Sequence, residues 1–246
     1  MATSGQLSVR AAARDVVGVY RRHWTFLVPA AVVVLLPQAL IDGFLDGLQV
    51  EGVSSAKDVA LIAAVPLTAL VNLLGEALYA GLAAAAVIEW RAGQAVPRIP
   101  TLVRNLPIRT LIAVDLILSV AAAVGFTLLV IPGLVLLTYL GIAPAVVKIE
   151  HRGVRDAFRR SALLVQGQFW RVLVIVTGLI VFTEVAMQAL TFPFHGVALV
   201  SVVDLVAEAV LEPFQGLATV IVTVGLIELR GELPPARELS IGRPPQ

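Results

Sequence analysis

The chain has 246 residues, of which 59% are hydrophobic and 14% charged, well short of the roughly one-quarter charged share of soluble domains. That composition makes a water-soluble globular fold the poorer starting assumption. A net charge of +1 leaves no electrostatic surplus for a nucleic-acid partner. The absence of cysteine removes disulfides, thiolate metal sites and cysteine nucleophiles together.

Residues 1–23 read as a cytoplasmic amphipathic leader, with Arg10 and Arg14 one turn apart against Val16, Val17 and Tyr20. Basic residues ahead of the apolar run 25–45 resemble a secretory signal. The leader is long for that role, no small-x-small cleavage site follows and further apolar runs come behind it, so the run reads as a retained signal anchor. A helix over the next run, 59–88, would be about 45 Å long, which requires tilting, projection from the membrane or a bend near Pro66 or Gly75.

Residues 110–147 would extend about 57 Å as one helix, roughly twice the hydrocarbon thickness. The turn that divides them is predicted at Ile131-Pro132-Gly133, with Pro132 and Gly133 as its residues. This gives spans over 110–130 and 134–148. The second arm is short for a crossing, so the hairpin either crosses fully or is re-entrant. Residues 154–166 place Val154, Ala157, Phe158, Ser161 and Val165 at helical spacing opposite Arg155, Asp156, Arg159 and Arg160, the pattern of an interfacial helix. Two further spans, 169–191 and 197–229, are separated by Phe192-Pro193-Phe194-His195-Gly196. The expected architecture is all-α: a polytopic membrane helix bundle of about six transmembrane helices with amphipathic interfacial helices. It forms one membrane domain over 24–230, followed by a disordered cytoplasmic tail at 231–246.

Placing the 18 Lys and Arg on this map tests orientation, because cytoplasmic loops collect basic residues. All except Lys57 fall on one side, so both termini are expected in the cytoplasm and the protein in the inner cell membrane of a bacterium. Arg155, Arg159 and Arg160 are candidate contacts for lipid headgroups. Membrane lipids, together with a membrane-protein partner or a second copy, are the expected partners.

Acids inside apolar spans are the unusual feature: Asp42, Glu76, Asp115, Glu184, Asp204, Glu208 and Glu212. None has a Lys or Arg at comparable depth on this map. Lone carboxylates in hydrocarbon cost a few kcal/mol at least, so each is protonated, hydrogen-bonded, near a wet cavity or holding a cation. Asp204, Glu208 and Glu212 stack at four-residue spacing on one helix face. With Glu76 and Glu184 they form the candidate intramembrane polar or cation site. Gly75, Gly81, Gly178 and the alanines 83–86 offer small faces for close helix packing.

Catalytic constellations are missing. His23, His151 and His195 fall in separate places, the first two cytoplasmic and the third external, so they form neither a triad nor a metal cluster. There is no phosphate-cradling glycine loop with its lysine and no His-Glu-x-x-His pair. Ser161 has no visible base and reads as a packing serine. No enzyme activity, metal or cofactor is expected.

From Phe126 onward a run of short motifs carries a family likeness: Ile131-Pro132-Gly133, Pro144, Glu150, Ala157-Phe158-Arg159-Arg160-Ser161, Gly167, Trp170 and the closing Leu226-Ile227-Glu228-Leu229-Arg230. In order and spacing these resemble the membrane domain attached to some bacterial glycerophosphodiester phosphodiesterases, and its stand-alone six-span relatives. An aromatic residue common before the closing acid is missing here. The resemblance implies a six-helix bundle with amphipathic cytoplasmic connectors, and it brings no phosphodiesterase barrel. Two functions are therefore expected in turn: first, a non-catalytic membrane module that interacts with lipids or envelope proteins; second, a proton- or cation-coupled transporter built on the intramembrane carboxylates.

Overall fold

A computed structural model describes residues 7–46, 75, 78–88, 90–91, 106–128, 130–193 and 197–231. Every regular element among them is an α-helix: α1 (Val9–Asp46), α2 (Leu78–Ile88), α3 (Ile108–Leu128), α4 (Val130–Leu140), α5 (Ala143–Glu150), α6 (Val154–Val165), α7 (Phe169–Thr191) and α8 (Val197–Leu229). Among the described residues, four stretches are long and apolar enough to cross a membrane: Val9–Ile41, Ile131–Glu150, Phe169–Thr191 and Val202–Leu229. Among the described residues the protein is thus all-helical, with helices suited to a membrane-embedded chain, as its composition leads one to expect. With no water in hydrocarbon to satisfy open backbone groups, helices are the element such a sequence can form there.

The leader and the first apolar run are a single helix. Val9–Asp46 continues unbroken through 23–25 and past Pro29 and Pro37. Prolines are tolerated inside membrane helices where neighbours re-satisfy the freed carbonyls. The N-terminal end is set by the Leu7 N–H, which donates to Gln168 Oε1 at 3.3 Å, placing the start of α1 beside the start of α7. From there α1 runs along α8 in the opposite sense: the Tyr20 hydroxyl donates to the Val210 carbonyl at 3.2 Å, and the Tyr20 and Phe214 rings stack at 4.3 Å. Counting 14 and 15 residues from Leu7, Arg21 and Arg22 stand about 21–22 Å along the helix, far from the end that carries Arg10 and Arg14.

That end of the bundle gathers several basic groups. Arg91 pairs with Glu228, an Arg230 guanidinium N–H donates to the Leu163 carbonyl, and Arg152 and Arg160 both hold Glu150. We refer to it as the basic end.

α3 and α4 form the hairpin expected from the sequence, with its turn displaced. Pro132 and Gly133 lie inside the first turn of α4, which begins at Val130, so the chain reverses before them. The physical reason is that proline is cheap in a first helical turn, where its missing N–H has no intrahelical partner to lose. Gly133 serves close packing instead. A Cβ built on Gly125 would lie 2.9 Å from Gly133 Cα, so α3 and α4 touch backbone to backbone there. Gly125→Val is expected to cost about 1–3 kcal/mol through overpacking. Thermal unfolding in detergent, with Gly178→Ala as the reference substitution, reads that loss. Gly178 is the reference because, among the described residues, nothing lies within 4 Å of its built Cβ, so the close packing expected of it is not made by them.

α4 and α5 follow one another across Gly141 and Ile142, and the Gly141 N–H still reaches the Leu137 carbonyl at 2.7 Å. The 20 residues of Ile131–Glu150 extend about 30 Å, the thickness of a hydrocarbon core. The second arm, short by its apolar residues alone, is therefore long enough to cross. α6 packs on this pair through buried Ala157, Ser161, Leu164 and Val165, and the Ser161 hydroxyl donates to the Tyr139 carbonyl at 2.6 Å. The chain then turns into α7 at Gly167, whose φ of 88° is open to glycine at no steric cost.

α2 packs against α8 through small residues. Ala83 to Ala86 are buried, and a Cβ on Gly216 would lie 3.2 Å from the Ala83 methyl, the close approach that small residues permit between membrane helices. Outward, α7 exposes Val174, Val181, Phe182, Val185 and Leu190, bracketed by Trp170 (74% exposed) and Phe192 (86% exposed). Those two aromatics are 22 residues apart, about 33 Å, so their rings flank an apolar band as thick as a bilayer core.

Candidate functional site

α7 and α8 run antiparallel, and each carries a polar stripe at helical spacing. On α8 the stripe is Asp204, Glu208, Glu212 and then Gln215; on α7 it is Thr183, Glu184, Gln188 and Thr191, with apolar Met187 among them. Side chains three and four residues apart share a helix face, so two such stripes facing each other make a polar seam inside an apolar pair. The seam opens into a cavity of about 290 Å³ lined by these residues and Leu211. Four of the five carboxylates proposed from sequence, Glu184, Asp204, Glu208 and Glu212, line it together. The fifth, Glu76, lies outside the described residues, and of Asp42 only the helical backbone is described.

The inner limit of the cavity is a hydrogen-bonded bridge between the two helices. Gln215 Nε2 donates to Thr183 Oγ1 at 2.8 Å, and Thr183 Oγ1 donates to the Ile180 carbonyl at 2.9 Å. Thr183 is 14 residues from Phe169 and Gln215 is 14 residues from Leu229, so the bridge lies about 21 Å from the basic end on both helices. The acids of α8 lie beyond it, successive carboxylates about 6 Å apart. Arg171, the basic residue of α7, and Arg230, which directly follows α8, are at the opposite end. Among the described residues, no three His, Asp or Glu side chains come together closely enough to share one metal ion. The carboxylates are instead strung along the cavity, an arrangement suited to successive protonation or to a cation held by water and a few oxygens at a time.

Sequence reasoning missed the amides and hydroxyls of this seam. Thr183 and Thr191 are two four-residue steps apart, Gln188 is one such step from Glu184 and Gln215 follows Glu212 by three residues, so a count of all polar side chains at helical spacing in 183–191 would have found the matching stripe.

A second buried charge lies elsewhere. Asp115 on α3 is 7% exposed, and Lys148, expected from the sequence to lie in a loop, is 2% exposed on α5. The two interact electrostatically. The expectation that no intramembrane acid has a basic residue at its own depth is corrected at this position: Gly141 and Ile142 carry the α4–α5 span on through Lys148 to Glu150.

The proposed headgroup contacts on α6 divide. Arg155 and Arg159 are exposed. Arg160 is not available, because its Nε donates to both carboxylate oxygens of Glu150 at 3.0 and 3.2 Å, a charge-assisted pair that fixes α6 to α5.

Comparison of this chain with protein-family models, curated proteins and solved structures finds no match.

Proposed function

We propose that this chain is a proton- or cation-coupled permease in which the cavity between α7 and α8 takes up the coupled ion. The observation that carries this reading is the convergence of Glu184, Asp204, Glu208 and Glu212 on one cavity. Scattered acids would each be explained by local hydrogen bonds. Four acids around a shared polar space, on helices whose own basic residues lie at the other end, act as a cation trap. On this reading the chain crosses the membrane about six times with both termini in the cytoplasm, the basic end facing inward. The cavity then opens toward the outer half of the inner cell membrane. The likeness to the phosphodiesterase-type membrane domain belongs to the same proposal and names no ligand.

A second reading, a non-catalytic module that organises lipids or envelope proteins, rests on a separate observation. Arg155 and Arg159 are exposed on α6, and Trp170 is exposed at the start of α7, basic and aromatic side chains of the kind suited to anionic headgroups. One experiment separates the two. Purified protein is reconstituted in vesicles carrying an internal pH dye, and proton movement is followed under imposed pH and cation gradients. The permease reading expects flux that survives Arg155→Gln with Arg159→Gln and disappears in Glu208→Gln with Glu212→Gln. No flux above protein-free vesicles under any of the gradients would overturn it in favour of the module.

A further inference from the structure

Arg21 and Arg22 are exposed on α1, between exposed Val17 and Trp24. They belong to a helix that is apolar enough to cross a membrane, and neither makes an ion pair within the chain among the described residues. Arginines on an apolar outer face require cover, because a charged side chain at membrane depth is costly unless it is paired or reaches water. Glu184 presents the complementary problem: it is exposed on α7 at the mouth of the cavity, beside exposed Val181 and Val185.

The two problems occur at the same depth. The Leu7–Gln168 hydrogen bond sets a common origin for α1 and α7. Arg21 and Arg22 lie 14 and 15 residues beyond it and Glu184 lies 16, or about 21–22 Å and 24 Å along nearly parallel paths. Two copies inserted in the same orientation are related by an axis along the membrane normal, which leaves every residue at its own depth. Only groups at equal depth can then meet between copies. α1 is held to α8 of its own chain through Tyr20, which turns Arg21 and Arg22 outward.

We infer that a second copy of this chain covers the mouth of the acid cavity, its Arg21 and Arg22 pairing with Glu184 at the rim, and reciprocally. The inference rests on the reading of the cavity as a cation site: the partner's guanidinium groups neutralise Glu184 at its rim, and Asp204, Glu208 and Glu212 stay with the coupled ion. Guanidinium suits this role, since it stays charged and pairs with carboxylates through two parallel hydrogen bonds.

The absence of cysteine makes a direct test available. Two differently tagged copies are co-expressed, one carrying Arg22→Cys and the other Glu184→Cys, and oxidised in the membrane. A disulfide joining the two tags is expected in clear excess over the pair Val33→Cys with Glu184→Cys, because Val33 is also exposed on α1 but lies about 16 Å further along it. In a second arm without cysteines, Arg21→Glu with Arg22→Glu should lower the dimer fraction roughly 5- to 30-fold. Glu184→Arg on the other copy should restore it.

Equal crosslinking from positions 22 and 33, or a dimer unmoved by charge reversal, overturns the inference. Failure here with flux still dependent on Glu208 and Glu212 leaves the permease standing. Heterodimer formation with no flux retains the interface and removes the permease.

Discussion

Lys148→Met is expected to destabilise the bundle by about 3–5 kcal/mol. Lys148 and Asp115 are both almost fully buried and act on one another electrostatically. Removing the ammonium leaves the carboxylate in an apolar interior without its counter-charge. The cost is the desolvation of that charge, not the loss of a surface ion pair, which would be worth about 1 kcal/mol or less. Adding Asp115→Asn to Lys148→Met should recover most of the loss, since a buried pair replaced on both sides by neutral groups of similar volume is often close to neutral. Unfolding by denaturing detergent in mixed micelles measures Lys148→Met, Asp115→Asn alone and the double variant. A single-variant loss below about 1 kcal/mol, or a double variant as unstable as the two singles added together, would remove the pair as an energetic unit.

The second large effect concerns transport. Glu208→Gln with Glu212→Gln should bring proton or cation flux down to the level of protein-free vesicles while leaving the fold intact. Glutamine keeps the length and most of the volume of glutamate, and it keeps hydrogen-bonding capacity toward Gln215 and the threonines of α7. What it removes is the charge and the exchangeable proton. Asp204→Asn should have a smaller effect, because Asp204 lies about 16 Å beyond the Gln215–Thr183 bridge, near the end of α8 where solvation is easier. If both amide variants carry normal flux and remain folded, the acids are structural hydrogen-bond partners, and the surface of α6 becomes the better guide to function.

Several residues of 126–230 have plain structural roles in the bundle. Ser161 and Gly167, both in the resembling segment, are explained by packing and backbone geometry: a hydrogen bond to the Tyr139 carbonyl and a positive φ at the α6–α7 turn. Glu150 and Arg160, from the same segment, are one ion pair. These residues hold the connector against the bundle, so their pattern speaks to architecture and leaves the ligand open.

Much of the fold was legible in the chain because membrane insertion is decided by local composition. A run of apolar residues long enough to cross must be helical, since nothing else satisfies its backbone in hydrocarbon, and the helices over 169–191 and 197–229 fall where their apolar runs begin and end. The amphipathic face of 154–165 was equally readable, because a period of 3.6 is a property of sequence alone. Three matters were decided only in three dimensions. Residues 9–46 are one helix, which carries Arg21 and Arg22 away from the basic end, because helix propagation does not stop where polarity changes. Lys148 went into the interior because the α4–α5 span includes it and Asp115 is there to meet it. The acids share one cavity because α7 turns the stripe of Thr183, Gln188 and Thr191 toward α8. Spacing along one helix places side chains on a face, but which neighbour that face meets is set by packing between helices, and no single stretch of sequence contains that information.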